Sequence, residues 1–209
     1  LRHTGFIIGA QQGGAIGDNK LLADVFLQEG IIGGGKGGSA QLQYAAGVGD
    51  NAGLNVIAAD GGWRVCQMLG ITPDLLLGDF DSLGEVPEFG HILRLPVEKD
   101  DTDMVRAVKE GLAWGETEFH LLGGMGGQRS DHTVANMQTL AYLASHGAKG
   151  WLYGDGERYT ALCGPDVLEL EARKAGILSV FCLGADASGV TIRGAQYELE
   201  NAALTAFFP

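Results

Sequence analysis

From Leu54 onward the apolar and polar positions follow two alternating rhythms. LNVIAAD is a short apolar run ending in an acid, and GWRVCQMLG after it reads as a short helix closed by Gly70 at its C-terminal end. DLLLGDFDS repeats the strand-then-acid pattern, and HILRLP is a further strand. TDMVRAVKEGLAW then spaces Met104, Val105, Val108 and Leu112 along one helical face, with Thr102 placed to cap it. EFHLLGG is a strand running into GGMGGQRS. DHTVANMQTLAYLASHG reads as a helix with Val134, Met137, Leu140, Ala141 and Ala144 inward, stopped by Gly147. Strands alternating with helices of this length predict an α/β fold, a mainly parallel sheet flanked by helices.

After about Gly147 the rhythm changes. WLYG, ERYTAL, DVLELE, ILSVFCLG, GVTIRG and AQYELE are short β-type segments separated by turn residues. They predict that the α/β domain of residues 1–147 is followed by a C-terminal all-β domain over 148–209, a sandwich or small barrel. The chain reaches TAFFP before an obvious completion, so this second domain reads as cut short. Residues 1–53 hold fourteen of the 35 glycines. There GFIIGA and GIIGG each read as a short strand, and LLADVFLQ and SAQLQYAAGV as short helices. Gly30 to Gly37 carry the G-x-x-x-x-G-K spacing of a P-loop, yet Gly37 stands where a magnesium-binding Ser or Thr belongs. A glycine-rich turn is the better reading.

Composition adds bounds. The 209 residues are 45% hydrophobic and 19% charged, ordinary for a globular protein. No apolar run approaches the roughly 18–20 residues of a membrane-spanning helix, and LRHTGFIIGA lacks the long apolar core of a secretory signal, so a cytoplasmic location is expected. Cys66, Cys163 and Cys182 show neither a CxxC pair nor a matching His spacing, which leaves no zinc site or disulfide framework to read. The net charge of -12 argues against a broad grip on nucleic acid. An acidic protein still binds a polyanion when a divalent cation stands between them.

The acids fall where that condition is met. In open α/β sheets ligands bind beyond the carboxyl ends of the strands. Asp60 follows LNVIAA, Asp79 and Asp81 follow LLLG, and Asp100, Asp101 and Asp103 follow HILRLP. If GDFDS is extended, Asp79 and Asp81 share one side and Phe80 faces the other. Carboxylates gathered on one rim raise each other's pKa unless a cation neutralises them, and magnesium held by carboxylates and substrate phosphates would do so. The strand ending at Leu122 leads into different material, GGMGGQRSDH. Its glycines let backbone N–H groups approach phosphate oxygens, the following helix aims its positive end at the loop, and Arg129 adds a fork of donors. Taken singly, each of these is an ordinary turn, cap or surface residue. Together, each at a strand exit, they describe a nucleotide phosphate-transfer site.

ADGG at 59–62, PDLLLGDFDS at 73–82, KDDTD at 99–103, GGMGGQRSDH at 123–132 and GVTIRGAQYELE at 189–200 resemble, as an ordered set, the thiamine pyrophosphokinase (thiamin diphosphokinase) family over about residues 54–204. The resemblance implies an α/β domain followed by a thiamine-binding β-sandwich, and a homodimer. It implies an enzyme that transfers a pyrophosphoryl group from ATP to the thiamine hydroxyl, giving thiamine diphosphate and AMP, with Mg2+ as cofactor and neither nucleic acid nor membrane as partner. Carried over residue by residue, Asp60, Asp79, Asp81 and Asp103 would hold the magnesium, the last three being catalytic as well. Lys99 and Thr102 would flank the phosphates, and Gly123, Gly124, Gly126, Gly127, Arg129 and Asp131 would line the phosphate site. Two departures from the family's pattern stand out: the glycine-rich residues 1–53, and a Ser-Asn element that usually follows the last strand and does not occur before Pro209. Two other readings stay open, a diphosphokinase acting on another hydroxyalkyl heterocycle such as a pterin, and a nucleotide-binding module without turnover.

Overall fold

Right-handed crossovers decide which helix lies on which face of the sheet. A computed structural model describes residues 4–10, 54–81, 83–84, 86–125, 129–154, 157–172 and 175–208, and the chain divides into two compact units, Leu1–Gly164 and Pro165–Pro209. The first unit runs β1 (Thr4–Ala10), β2 (Asn55–Asp60), α1 (Gly62–Leu69), β3 (Leu75–Gly78), β4 (Ile92–Arg94), α2 (Asp103–Ala113), β5 (Glu118–Leu122), α3 (Ser130–Ser145), β6 (Lys149–Tyr153) and β7 (Arg158–Tyr159). Its strands form one sheet in the order β4-β3-β2-β1-β5-β6-β7, parallel throughout except for β7, which is antiparallel to β6. The step from β2 to β3 goes toward one edge, whereas β4 to β5 and β5 to β6 go toward the other. Right-handed connections therefore put α1 on one face, and α2 and α3 together on the opposite one.

The core agrees with that placement. Ile57 and Ala59 of β2 and Leu75 and Leu77 of β3 share one buried cluster with Met104 and Val108 of α2 and Leu140 and Leu143 of α3. The alternate residues Val56, Ala58 and Leu76 are buried outside that cluster, as are Val65, Cys66 and Leu69 of α1. Burial pushes the Cys66 thiol up to about 12, while Cys163 is exposed. A thiol reagent at neutral pH is therefore expected to modify Cys163 in the native protein and Cys66 only after denaturation. Stoichiometric labelling of Cys66 before denaturation would contradict its burial.

Local signals account for the helix ends. Gly70 adopts φ 67, and the Ile71 N–H donates to Cys66 O at 2.9 Å, which ends α1. The Thr102 hydroxyl accepts from the Val105 N–H at 3.2 Å and caps α2. The inward face of α3 differs from the expected one. Val134 is 57% exposed, and the buried stripe is Asn136, Thr139, Leu140 and Leu143. Thr139 and Asn136 occupy it because their polar groups are satisfied there: Thr139 Oγ1 donates to Ala135 O at 2.9 Å, and Asn136 Nδ2 to Gly124 O at 2.7 Å.

GFIIGA is β1. The expected GIIGG strand, the LLADVFLQ and SAQLQYAAGV helices and the Gly30–Gly37 segment lie outside the described residues. WLYG, expected in the second domain from 148, instead supplies β6, paired in parallel with β5 and buried from Gly150 to Tyr153. ERYTAL contributes only the two-residue edge strand β7, so the division between units falls after Gly164, not at 147. A continuous apolar run fits an interior parallel strand better than a half-exposed sandwich strand.

Among the described residues of the second unit there is one antiparallel pair, β8 (Ala187–Ile192) with β9 (Leu199–Leu204), interrupted by irregularities on either side of Val190. DVLELE and ILSVFCLG form no ladder among those residues, and Ile177 is 97% and Phe181 69% exposed. A sandwich needs two facing sheets, and the described residues of this unit form one. No helix among the described residues is long and apolar enough to cross a membrane.

Candidate active site at the carboxyl edge of the sheet

Parallel register brings the strand exits to one edge: Ala10 pairs with Asp60, Ile8 with Leu122 and Ala59 with Leu77. There β2 and β3 come unusually close. Gly78 ends β3 with φ 151, and a Cβ at this position would lie 3.1 Å from the Asp60 Cα and 3.2 Å from its N and Cβ. Only a glycine permits both that backbone and that approach. Asp60 ends β2 at φ 47 and is buried.

The next turn gathers the second and third acids, and not by the extended alternation expected. Phe80 adopts φ 63 with its ring buried, and the Asp81 N–H folds back to donate to Asp79 Oδ1 at 3.2 Å. Asp79 and Asp81 therefore share a side because the backbone turns through the left-handed region between them. Such backbone in a residue with a Cβ costs on the order of 1–3 kcal/mol and collects at functional sites. Two of the three non-glycine residues with positive φ among those described, Asp60 and Phe80, lie here. Arg64 Nη2 donates to Leu83 O at 3.3 Å, a tie between α1 and the chain after Asp81 that the sequence did not signal.

Asp60, Asp79 and Asp81 each offer one carboxylate oxygen, all within 4.8 Å of one another. Two metal–oxygen bonds span at most about 4 Å for magnesium and about 5 Å for calcium, so three hard oxygen donors within this bound suit a hard divalent cation. Asp103, the first residue of α2, joins through Lys99, whose Nζ lies 2.9 Å from Asp79 Oδ2 and 3.0 Å from Asp103 Oδ1. Burial pushes the Asp103 carboxyl up, the charges of Asp60 and Asp79 push the same way, and Lys99 does not reverse the shift. Burial also pushes Asp79 up, yet the hydrogen bonds from Lys99 and the Asp81 N–H prevail and hold it below the ordinary carboxylate range. Burial opposes the charge on Lys99, and its bonds to Asp79 and Asp103 outweigh that and raise its pKa. The other two acids of KDDTD stand apart: Asp101 pairs with Lys109 at 2.6 Å, and Asp100 is exposed.

At the exit of β5, Gly123 adopts φ 72 and Gly124 is buried. Gly126 and Gly127 lie outside the described residues. Arg129 and Asp131 bind each other, with Arg129 Nη2 2.6 Å from Asp131 Oδ2 and Nε 2.9 Å from Oδ1. That fork holds Asp131 well below the usual carboxylate range. The residue that sequence reasoning missed is Asn136. Its amide holds Gly124 O from beneath, and a Cβ on Gly124 would meet Asn136 Nδ2 and Leu152 Cδ1, each at 2.9 Å. The available signal was its spacing, four residues before Leu140 and seven before Leu143, which puts a polar residue on the inward stripe. Asn136→Leu leaves a buried carbonyl without its donor and is expected to cost about 2 kcal/mol, a fall in Tm of roughly 4–8 °C. Asn136→Asp, with an acceptor facing that carbonyl, should do no better. A melt at parent temperature for both variants would refute the role.

The family described as thiamin pyrophosphokinase, catalytic domain, matches residues 51–152. In fold the chain is similar to a thiamine pyrophosphokinase from Bacillus subtilis, with a TM-score of 0.68 and 23% identity over 97% of this chain and 84% of that one. It is also similar to a thiamin pyrophosphokinase from Geobacillus thermodenitrificans, with a TM-score of 0.59 and 20% identity over 97% and 83% of the two chains. A thiamin pyrophosphokinase family protein from Enterococcus faecalis aligns at a TM-score of 0.53 and 20% identity over 98% and 85%. No curated protein matches the chain by sequence.

Proposed function

From the match of residues 51–152 to the thiamin pyrophosphokinase catalytic-domain family, we propose that this protein is an ATP-dependent thiamine diphosphokinase. The thiamine hydroxyl oxygen attacks the β-phosphorus of ATP. The bond from that phosphorus to the α–β bridging oxygen breaks, AMP leaves, and the hydroxyl proton passes to a carboxylate or to water. The observation that carries the reading is the meeting of Asp60, Asp79 and Asp81, from two different strand exits, within 4.8 Å. Asp60, Asp79 and Asp81 would hold magnesium, with Asp103 beside them. When bound, the ion neutralises charge on the phosphates.

The chain's own part is positioning and charge. Asp79, kept ionised by Lys99 and the Asp81 amide, is a ready anionic ligand at neutral pH. Thr102 fixes the start of α2, so that Asp103 faces the cluster from a capped helix and not from a loose loop. Gly123 and Gly124 present backbone at the same edge, with Arg129 and Asp131 at the head of α3; in this reading they line the phosphate site with Gly126 and Gly127. The chain acts as a homodimer, a reading supported by the exposed apolar side chains of the second unit, such as Ile177 and Phe181.

The test supplies Mg-ATP and thiamine and resolves the products. Thiamine diphosphate and AMP in equal amounts are expected, and ADP as the sole nucleotide product would exclude the reaction. A hydroxymethyl pterin run in parallel distinguishes the acceptor, and a nucleotide-dependent melting shift without product would favour a binding module. Sedimentation of the same preparation should give twice the 21.9 kDa chain mass; a monomer at working concentration would remove the dimer.

A further inference from the structure

Lys99 is the cation among the carboxylates of the site. Its ammonium touches Asp79 Oδ2 and Asp103 Oδ1, at 2.9 and 3.0 Å, and its side chain is partly buried. The other oxygen of Asp79 accepts the Asp81 N–H, so both oxygens of this carboxylate already have a donor. One ligand carboxylate thus faces two claims. Asp79 is one of the three residues that converge within 4.8 Å, and the lysine lies on its Oδ2 while also touching Asp103 Oδ1.

Resting on the reading that Asp60, Asp79 and Asp81 hold a dication, we propose that Lys99 is a tethered counter-ion exchanged on substrate binding. Without metal its ammonium keeps Asp79 and Asp103 together against their mutual repulsion. A dication sharing Asp79 is repelled by a positive charge on the same carboxylate, one hydrogen bond from Oδ2, so the site without nucleotide discriminates against bare metal. A triphosphate supplies the ammonium with another partner. The lysine stem is four carbons long and freely rotating, which lets the charge move to a phosphate oxygen while its backbone stays in place. Metal and nucleotide then bind with positive coupling, because each removes an obstacle to the other. The exchange also explains why this position carries a lysine: an arginine fork held by both carboxylates would release them less readily.

The measurement is Mn2+ binding by electron paramagnetic resonance of the free ion, with no nucleotide present, on the whole chain and on Lys99→Met. Removing the ammonium should tighten Mn2+ binding by roughly tenfold or more, lower the metal-free melting temperature, and let Mg2+ restore it. Lys99→Arg, which keeps the charge, should bind Mn2+ no more tightly than the parent. If Lys99→Met does not fold, Lys99→Gln serves the same comparison. Equal or weaker Mn2+ binding by the neutral variant overturns the exchange, since a merely structural lysine would lower stability without tightening metal binding. The outcome is separable from the reaction itself. Thiamine diphosphate formation with unchanged Mn2+ affinity sinks the exchange alone, whereas tightened Mn2+ binding without any thiamine diphosphate leaves it standing and removes the acceptor.

Discussion

Asp79→Ala and Asp81→Ala are each expected to lower kcat about a thousandfold or more while the protein remains folded. A thousandfold is about 4 kcal/mol of transition-state stabilisation, the scale found when one preorganised charge contact to a reacting group is removed. Both side chains lie on the rim, where they repel each other and Asp60, so their loss leaves no cavity in the core. Asp79→Ala frees Lys99 from one partner and leaves it the other, Asp103, so no charge is stranded. The cost to stability should stay within about 1 kcal/mol, as for other partly exposed ion pairs. Product formation measured beside a melting curve separates the two quantities. Turnover within tenfold of the parent would remove that aspartate from the site, and a collapsed melting curve would show that it supports the fold instead.

Gly78→Ala should damage stability and activity together. The new Cβ would arrive 3.1 Å from the Asp60 Cα, on a backbone at φ 151 that side chains rarely adopt. The nearest atoms are main-chain atoms and the Cβ of Asp60, none of which swings away as the end of a flexible side chain would. Strain and crowding together are expected to cost about 3 kcal/mol, a fall in Tm of roughly 6–12 °C for a chain of this size. Relief requires β2 and β3 to part, which carries Asp60 away from Asp79 and Asp81. A displacement of about 1 Å at a reacting centre costs on the order of a hundredfold in rate. Saturating Mg-ATP should not rescue kcat, because the fault lies in the geometry of the bound site. An alanine variant with the parent's melt and turnover would mean that the strands are not this close.

Much of the local structure around these residues is legible in the sequence. The strand exits, the acids that follow them, the Thr102 cap and the Gly70 stop depend on residues within one or two turns of each other, and short-range sterics and hydrogen bonding are enough to specify them. The same local logic misjudged α3. A count of apolar residues chose Val134, while the buried stripe accepts Asn136 and Thr139, whose polar groups find partners inside. It also misread GDFDS, since an extended strand and a left-handed turn at Phe80 both place two aspartates on one side. The change of rhythm near Gly147 was real, yet a rhythm does not say which sheet a strand joins, and β6 joined the first.

What the sequence by itself determined is therefore the inventory of the α/β part: which segments from Leu54 to Tyr153 are strands or helices, and that carboxylates and glycines occupy the exits. What the tertiary structure decided is which of them meet. Asp101 and Asp103 are two residues apart, yet one turns to Lys109 and the other reaches Lys99 and, through it, Asp79. The physical reason is range. Helix and strand formation is settled by neighbours along the chain, whereas the meeting of Asp60 with Asp79, and of Asp79 with Asp103 through Lys99, depends on strand order, parallel register and the hand of each crossover, which no local window contains.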